Sequence, residues 1–146
     1  CGYLYQDKDC DQGELKSMEV VTRKKPTKLD YSSIELGWKL VRNVKSNAIV
    51  FANHNQLLGV GAGQMSRIDS VKIAIQKVTE SGLNLKGGIM ASDAFFPFSD
   101  SIEVAAAAGI TTVVQPGGSI KDKDIIKKAD ELDLSMVFTK IRHFLH

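Results

Sequence analysis

Four short segments carry residue types that could bind a ligand or support a reaction. A glycine-rich loop (residues 59–67) leads from a strand into a helix, and an aromatic loop (residues 92–98) combines an aspartate with three phenylalanines. A Pro-Gly-Gly-Ser loop (residues 115–119) and an Arg-His-Phe-Leu-His tail (residues 142–146) follow two later strands. Ligands of open α/β sheets bind where strands end. The three loops therefore predict a cleft at one edge of a sheet.

The glycine-rich loop is open to two interpretations. Its glycines let a ligand approach the backbone, and free N–H groups at the helix start attract anions. The spacing is not the dinucleotide fingerprint, because the third glycine would fall at Gln64, so a structural turn explains it as well. Arg67 favours a site, since the positive end of a helix dipole opposes an arginine in the first turn.

The aromatic loop must either bury its phenylalanines beneath neighbouring elements or offer them to a flat ligand. Taken from the residues alone, packing is the favoured alternative. Asp93 lies in an otherwise apolar run, which indicates a buried partner or a bound cation. Asp100 and Glu103 have the spacing of a helix cap.

The tail and the Pro-Gly-Gly-Ser loop are weaker signals. Arg142 comes where the last strand ends, and an arginine there can make a bidentate contact with a phosphate. A frayed, solvated terminus is the alternative. The backbone N–H groups of the Pro-Gly-Gly-Ser loop could face the same ligand edge, although each of these sequences alone is common in loops.

Composition limits the classes of function. The chain has 146 residues, 43% hydrophobic and 25% charged, which suits one globular domain. Nineteen basic and seventeen acidic residues give a net charge of +2, so no sequence-wide field favours nucleic acid or a membrane. No apolar stretch could cross a bilayer and no signal peptide is visible, which predicts a cytoplasmic protein. Cys1 and Cys10 indicate two free thiols and not a zinc site.

Strands and helices alternate along most of the chain. Residues 1–17 lack an apolar period and predict a linker or coil leading in from a missing upstream segment, followed by a folded unit over residues 18–146. Strands are predicted over residues 18–22, 48–52, 56–60, 88–91, 111–115 and 135–139, and helices over 31–44, 66–82, 100–108 and 121–132. This order indicates a three-layer α/β fold with a mixed, largely parallel sheet covered on both faces.

The motifs together resemble a known family. They are Lys-Ser-Asn-Ala-Ile-Val (residues 45–50), Gly-Ala-Gly-Gln-Met-Ser-Arg (61–67), Ser-Asp-Ala-Phe-Phe-Pro-Phe (92–98), Pro-Gly-Gly-Ser (116–119) and the terminal Arg-His-Phe-x-His. In combination they resemble the C-terminal part of the AICAR formyltransferase domain of bifunctional purine-biosynthesis enzymes, whose other activity is IMP cyclohydrolase. The resemblance covers nearly the whole chain from residue 20 onward.

The resemblance implies a fold, a reaction and a set of site residues. The fold is cytidine-deaminase-like and zinc-free, and the reaction transfers a formyl group from 10-formyltetrahydrofolate to the 5-amino group of AICAR. Asn47 corresponds to the asparagine beside the reacting formyl group, and is the one catalytic residue in this segment. The AICAR contacts are Asn47, Arg67, Phe95 and Arg142, and the folate contacts are Ile68, Phe98, Asp100, Ser119 and Ile120.

The resemblance also implies a potassium site, a homodimer and the lack of a catalytic lysine–histidine pair. Some members bind potassium, which corresponds here to Ser46, Ala48 and Asp93, with Val41, Val44 and His143 less surely placed. Members form homodimers with active sites at the subunit interface. The family's catalytic lysine–histidine pair is not in this sequence, so the fragment alone is expected to be inactive. Leu145 departs from the pattern, which has a basic or polar residue there.

Two alternative functions remain open from the sequence. One is a noncatalytic nucleotide- or folate-binding module, and the other is a structural fragment that docks on a partner half.

Overall fold

A computed structural model describes residues 2–3, 5–7, 9 and 17–146. Six strands and four helices follow one another in these residues. In chain order they are β1 (Glu19–Val20), α1 (Lys28–Val41), β2 (Ile49–Ala52), β3 (Leu57–Gly61), α2 (Arg67–Glu80), β4 (Ile89–Ser92), α3 (Asp100–Ala107), β5 (Thr112–Gln115), α4 (Asp122–Glu131) and β6 (Ser135–Phe138). Cys1 and Cys10, and most of the expected linker, lie outside the described residues. Within those residues, no helix is long and apolar enough to span a bilayer.

The strands form one mixed sheet in the order β1-β6-β5-β4-β2-β3. Only β4–β5 and β5–β6 are parallel pairs, whereas β1–β6, β2–β3 and β2–β4 are antiparallel. The expectation of a largely parallel sheet is therefore wrong, although its mixed character is confirmed. The reason is that the β2–β3 hairpin reverses the chain and α2 then returns it to the far side of β2, so that β4 runs against β2.

Helices cover both faces of the sheet, which confirms three layers. On one face α2, α3 and α4 pack through apolar residues such as Val71, Ile102 and Ile125. On the other face α1 packs alone, through Ile34, Trp38 and Val41. Trp38 is 2% exposed and belongs to the core, as its helical spacing predicts.

Side-chain caps set the starts of α1 and α2, whereas α3 and α4 begin without one, so the cap expected from Asp100 and Glu103 does not form. Thr27 caps α1 by accepting from the Asp30 N–H, and the Asp30 carboxylate accepts from the Thr27 N–H, so the helix begins three residues before the predicted start. It ends at Val41, and Val44 is only partly buried beyond it. Ser66 caps α2 by accepting from the Asp69 N–H at 3.3 Å, as predicted.

Candidate functional site

A cavity of about 410 Å³ opens at the edge of the sheet where β3, β4 and β6 end and β2 begins. The antiparallel direction of β2 brings its start to the same edge as those three ends. The lining residues are Asn47, Met65, Ser66, Arg67, Ile68, Ala94, Phe95, Pro97, Phe98, Asp100, Ser101, Arg142 and Phe144. All four residues expected to contact AICAR, and three of the five expected to contact folate, therefore share one cavity.

A buried ion pair lies beside this cavity, with its arginine among the lining residues. The Arg67 guanidinium contacts the Asp93 carboxylate through Nη1, with the two side chains 7% and 1% exposed. The same nitrogen donates to Ser92 Oγ at 3.0 Å and to the Ala48 carbonyl at 3.4 Å. The sequence-based expectation that Asp93 has a buried partner is thus confirmed, and that partner is an arginine.

Asn47 lies at the start of β2 and is held from three directions. Its Nδ2 donates to the Gln64 carbonyl at 2.9 Å, its Oδ1 accepts from Arg67 Nη2 at 3.1 Å, and its carbonyl accepts from Ser70 Oγ at 2.7 Å. The peptide bond that precedes it is cis. An amide nitrogen carries two hydrogens. One donor of Asn47 therefore remains for a ligand.

The three phenylalanines of the aromatic loop have different environments. Phe96 is fully buried in the core, whereas Phe95 is half-buried and Phe98 is 68% exposed. Phe95 and Phe98 both line the cavity, and fully exposed Met65 lines it from the glycine-rich loop. The favoured expectation of packing holds for Phe96 alone, and the other two offer ring surface to the cavity.

The C-terminal tail is ordered against this site. The His143 N–H donates to the Asp93 carbonyl at 3.0 Å, and the Ser46 N–H donates to the Leu145 carbonyl at 2.9 Å. The Arg142 guanidinium lies over the Phe144 ring, 4.5 Å from its centroid. The alternative of a frayed terminus is therefore wrong, because backbone contacts bind the tail to the start of β2 and the end of β4.

The glycines of the glycine-rich loop serve packing more than ligand approach. A Cβ on Gly61 would lie 1.9 Å from the Ser70 carbonyl oxygen, and one on Gly59 would lie 2.8 Å from the Ala74 carbonyl oxygen. These positions let β3 lie directly against the backbone of α2. Of the three glycines in this loop, Gly63 alone has a positive φ, +66°, where glycine is favoured. The structural alternative is correct for this half of the loop, and the ligand cavity begins at Met65.

Ser119 and Ile120 are not brought to the cavity. They follow β5 in the Pro-Gly-Gly-Ser loop, where Gly117 packs on the Phe138 ring and the Gly118 N–H donates to Asp122 at 2.7 Å. Ile120 is fully exposed. The cavity is built by the loops after β3, β4 and β6, so the predicted third loop contributes nothing to its lining.

Three of the residues expected near potassium, Ser46, Ala48 and His143, contact Asp93. Asp93 contacts Arg67 with one carboxylate oxygen and Ser46 Oγ with the other. The Ala48 carbonyl accepts from the Asp93 N–H at 3.3 Å as well as from Arg67. His143 is 1% exposed and contacts Asp9 through Nδ1. Within the part of the chain that the structure describes, no three His, Cys, Asp or Glu side chains form a metal-binding group.

Six lining residues were not expected as ligand contacts from the sequence: Met65, Ser66, Ala94, Pro97, Ser101 and Phe144. Each is adjacent to, or two positions from, a residue that was. For Met65 and Pro97, the available signal in the sequence was that each lies within two positions of an expected contact. Nothing in the sequence predicts that the Phe144 ring supports Arg142, because that contact depends on how the tail folds back.

The sheet and its helices define an α/β unit with a cavity at the ends of its strands. A family model described as AICARFT/IMPCHase bienzyme matches residues 1–77, and the chain belongs to that family. It is 54% identical over 145 residues to the bifunctional purine biosynthesis protein PurH of Macrococcus caseolyticus, which covers 99% of this chain and 29% of that protein. It is 50% identical to the proteins of the same name from Chlorobaculum parvum and Anoxybacillus flavithermus, with 28% of each covered. The chain thus spans less than a third of these relatives.

Two solved structures overlap the fold in part. A diaminohydroxyphosphoribosylaminopyrimidine deaminase/5-amino-6-(5-phosphoribosylamino)uracil reductase from Thermotoga maritima has a TM-score of 0.47 and 17% identity over 74% of this chain and 34% of its own. Acinetobacter baumannii RibD has a TM-score of 0.46 and 13% identity over 75% of this chain and 35% of its own.

Proposed function

We propose that this chain forms one part of an AICAR formyltransferase active site, which transfers formyl from 10-formyltetrahydrofolate to AICAR in purine biosynthesis. The observation that carries the proposal is the shared cavity, in which Asn47, Arg67, Phe95 and Arg142 meet Ile68, Phe98 and Asp100. Family membership supports it, because the family combines that transferase with a cyclohydrolase.

The cavity divides into a polar side and an apolar side. Arg142, exposed and held over Phe144, is placed to receive a phosphate, while Arg67 and Asn47 present N–H donors beside it. On the apolar side, the 68% exposed Phe98 offers a stacking face to a pterin. Asp100 Oδ1 accepts from the Ser101 N–H at 2.7 Å, and its second oxygen is available to pterin N–H donors.

The remaining donor of Asn47 suits the chemistry of acyl transfer. Attack of the weakly nucleophilic AICAR amine on the formyl carbon places negative charge on the formyl oxygen, and a fixed donor stabilises that charge. The intermediate then collapses by breaking the bond between the formyl carbon and N10 of the folate, which leaves as tetrahydrofolate after N10 takes up a proton. The amine loses one proton in this exchange, and the sequence has no adjacent lysine–histidine pair to carry it. The isolated chain is accordingly proposed to bind both ligands without turnover. Zinc has no role in this proposal.

Potassium, a cytoplasmic location and a homodimer remain proposals from family resemblance. The contacts of Asp93 bear on the first of these, because Arg67 already supplies its counter-charge and Ser46 occupies its second oxygen. A carboxylate has about four acceptor positions, so two remain for a cation. No step of the proposed mechanism passes through potassium.

Titration of the chain with each ligand tests the assignment. Arg67→Ala should weaken AICAR binding and leave folate binding nearly unchanged, whereas Phe98→Ala should do the reverse. Equal losses for both ligands in both variants would contradict the division of the cavity. A noncatalytic binding module would show the same titrations, so the distinguishing measurement is formyl transfer when the chain is combined with the lysine–histidine segment of a relative.

The third alternative, a purely structural fragment, predicts that Phe95 and Phe98 are buried with no cavity beside them. They are half-buried and exposed, respectively, and both line a cavity. The structure therefore favours a ligand site over a packing role for this loop.

A further inference from the structure

We propose that Asp93 is a positioning residue that holds the Arg67 guanidinium so that its unused N–H donors face the bound nucleotide. The proposal rests on the proposed function, because it assigns a role within the same cavity. Asp93 itself is 1% exposed at its side chain and does not line that cavity. Arg67 is the cavity-lining side chain that its carboxylate contacts, so its effect on a ligand is expected to act through Arg67.

Asp93 is fixed at four points. Its two carboxylate oxygens contact Arg67 Nη1 and Ser46 Oγ, its N–H donates to the Ala48 carbonyl at 3.3 Å, and its carbonyl accepts from the His143 N–H at 3.0 Å. Both ends of this residue are thus bound to neighbouring segments. A carboxylate held in this way can impose one orientation on its partner.

The donor count of Arg67 shows what that orientation leaves free. A guanidinium has five N–H donors. Nη1 is directed at Asp93, Ser92 and Ala48, and Nη2 donates to Asn47 Oδ1. Nε donates to no residue in the described ranges, and one Nη2 hydrogen is unused. Two donors therefore remain on a side chain that lines the cavity.

Arg67 would not stay in this position without Asp93. It is the first residue of α2, where the helix dipole repels a positive charge, and it is 7% exposed, which removes most of its hydration. The other acidic side chains nearby are engaged elsewhere: Asp69 with Ser66 at 2.5 Å and Asp100 with the Ser101 N–H. Asp93 is the one acidic group that contacts Arg67 among the described residues.

A double-mutant cycle measures the coupling. By titration calorimetry with AICAR, Asp93→Asn is expected to weaken binding by roughly 10- to 100-fold, the loss typical of one hydrogen bond from a charged donor. In an Arg67→Ala background the same change should cause no further loss, because there is no guanidinium left to position. In an Arg142→Ala background it should still cause a loss, because the Arg67 guanidinium is still there to be positioned. Full additivity with Arg67→Ala would overturn the proposal.

A second measurement does not need the ligand. In nuclear magnetic resonance spectra of the ¹⁵N-labelled chain, the Nη signals of Arg67 should be resolved because the ion pair restricts rotation, and they should merge in Asp93→Asn while those of Arg142 stay unchanged. Unchanged Arg67 signals would overturn the proposal. Failure of the unaltered chain to bind AICAR would instead contradict the proposed function, and the spectra would still decide the positioning role.

Two controls separate the positioning role from misfolding and from potassium binding. If Asp93→Asn fails to fold, Ser46→Ala removes the hydroxyl that contacts the carboxylate, together with the acceptor of the Leu145 N–H, and should loosen Arg67 to a smaller extent. If Asp93 acted only as a potassium ligand, replacing potassium by sodium would reproduce the binding loss in the unaltered chain, and Arg67 signals would not respond to Asp93→Asn. That pair of results would also overturn the proposal.

Discussion

Oppositely charged pairs occur both at the cavity edge of the sheet and on the outer surface of α4, and they do different things. Arg67 and Asp93 are 7% and 1% exposed and share their contacts with Ser92, Ser46 and Asn47. Lys128 and Glu131 are 36% and 46% exposed and contact each other at 2.8 Å, one turn apart. The buried pair fixes side chains beside the cavity, whereas water can replace the contact between the two exposed side chains. Charge type alone does not indicate which role a pair has.

The largest expected effect is from breaking the buried pair. Asp93→Ala leaves the Arg67 guanidinium without a counter-charge, and removing one partner of a buried pair costs about 3–5 kcal/mol. Urea denaturation followed by circular dichroism measures the loss. Asp124→Ala is the matched control, because that carboxylate is 74% exposed and lies 3.7 Å from Lys121. Equal stability of the two variants would remove the distinction between the regions.

The second effect concerns the close contact between β3 and α2, the helix that begins at Arg67. Gly61→Ala would push a Cβ to within 1.9 Å of the Ser70 carbonyl oxygen and force α2 away from β3. Overpacking of this kind costs about 1–3 kcal/mol. Denaturation of Gly61→Ala beside Gly2→Ala, whose added Cβ meets nothing within 4 Å, gives the comparison. If both unfold at the same urea concentration, β3 and α2 can separate without cost.

A third prediction separates binding from stability within one loop. Phe98→Ala should weaken folate binding roughly tenfold, as expected from the loss of one stacking contact. Its stability should barely change because the ring is 68% exposed. Phe96→Ala, which removes a fully buried ring, should mainly destabilise the chain. A large stability loss in Phe98→Ala would place that ring in the core and not at the site.

The smallest effect is expected on α4. The hydrogen bond from Lys128 lowers the pKa of Glu131, so the contribution of this carboxylate is present above its unfolded pKa and is lost as the pH falls through the lower folded value. Glu131→Gln should therefore flatten the acid limb of the stability curve only slightly. Denaturation midpoints at neutral and acidic pH measure this change. A loss as large as that of Asp93→Ala would contradict the comparison.

The sequence predicts the elements well but not their directions. All ten elements occur near the predicted positions, because apolar spacing and caps such as Ser66 are local signals. The antiparallel β2–β4 pair was not predicted, since it depends on the side of β2 to which α2 returns the chain. Thr27 and Asp30 show a local signal that was available and was not used for the start of α1.

The site shows the same division between local and distant information. Motifs that lie as far apart as Asn47 and Arg142 predict seven residues that line the cavity. The Arg67–Asp93 pair could be inferred only in part: each residue violates a local rule, but their pairing spans 26 positions. The Pro-Gly-Gly-Ser loop has the sequence pattern of a binding loop but does not line the cavity. Strand order and the path of each loop decide which loops meet, and neither is a local property of the sequence.

The β2–β3 hairpin turn points to a practical use of the architecture. Its residues, Asn53 to Gln56, close on themselves through the Asn53 side chain, whose Oδ1 accepts from the Asn55 and Gln56 N–H groups at 2.9 Å. Because β2 begins at the cavity and runs away from it, this turn lies at the other end of the strands. A fluorophore or an affinity tag inserted between His54 and Asn55 would lie far from the cavity and leave its opening free.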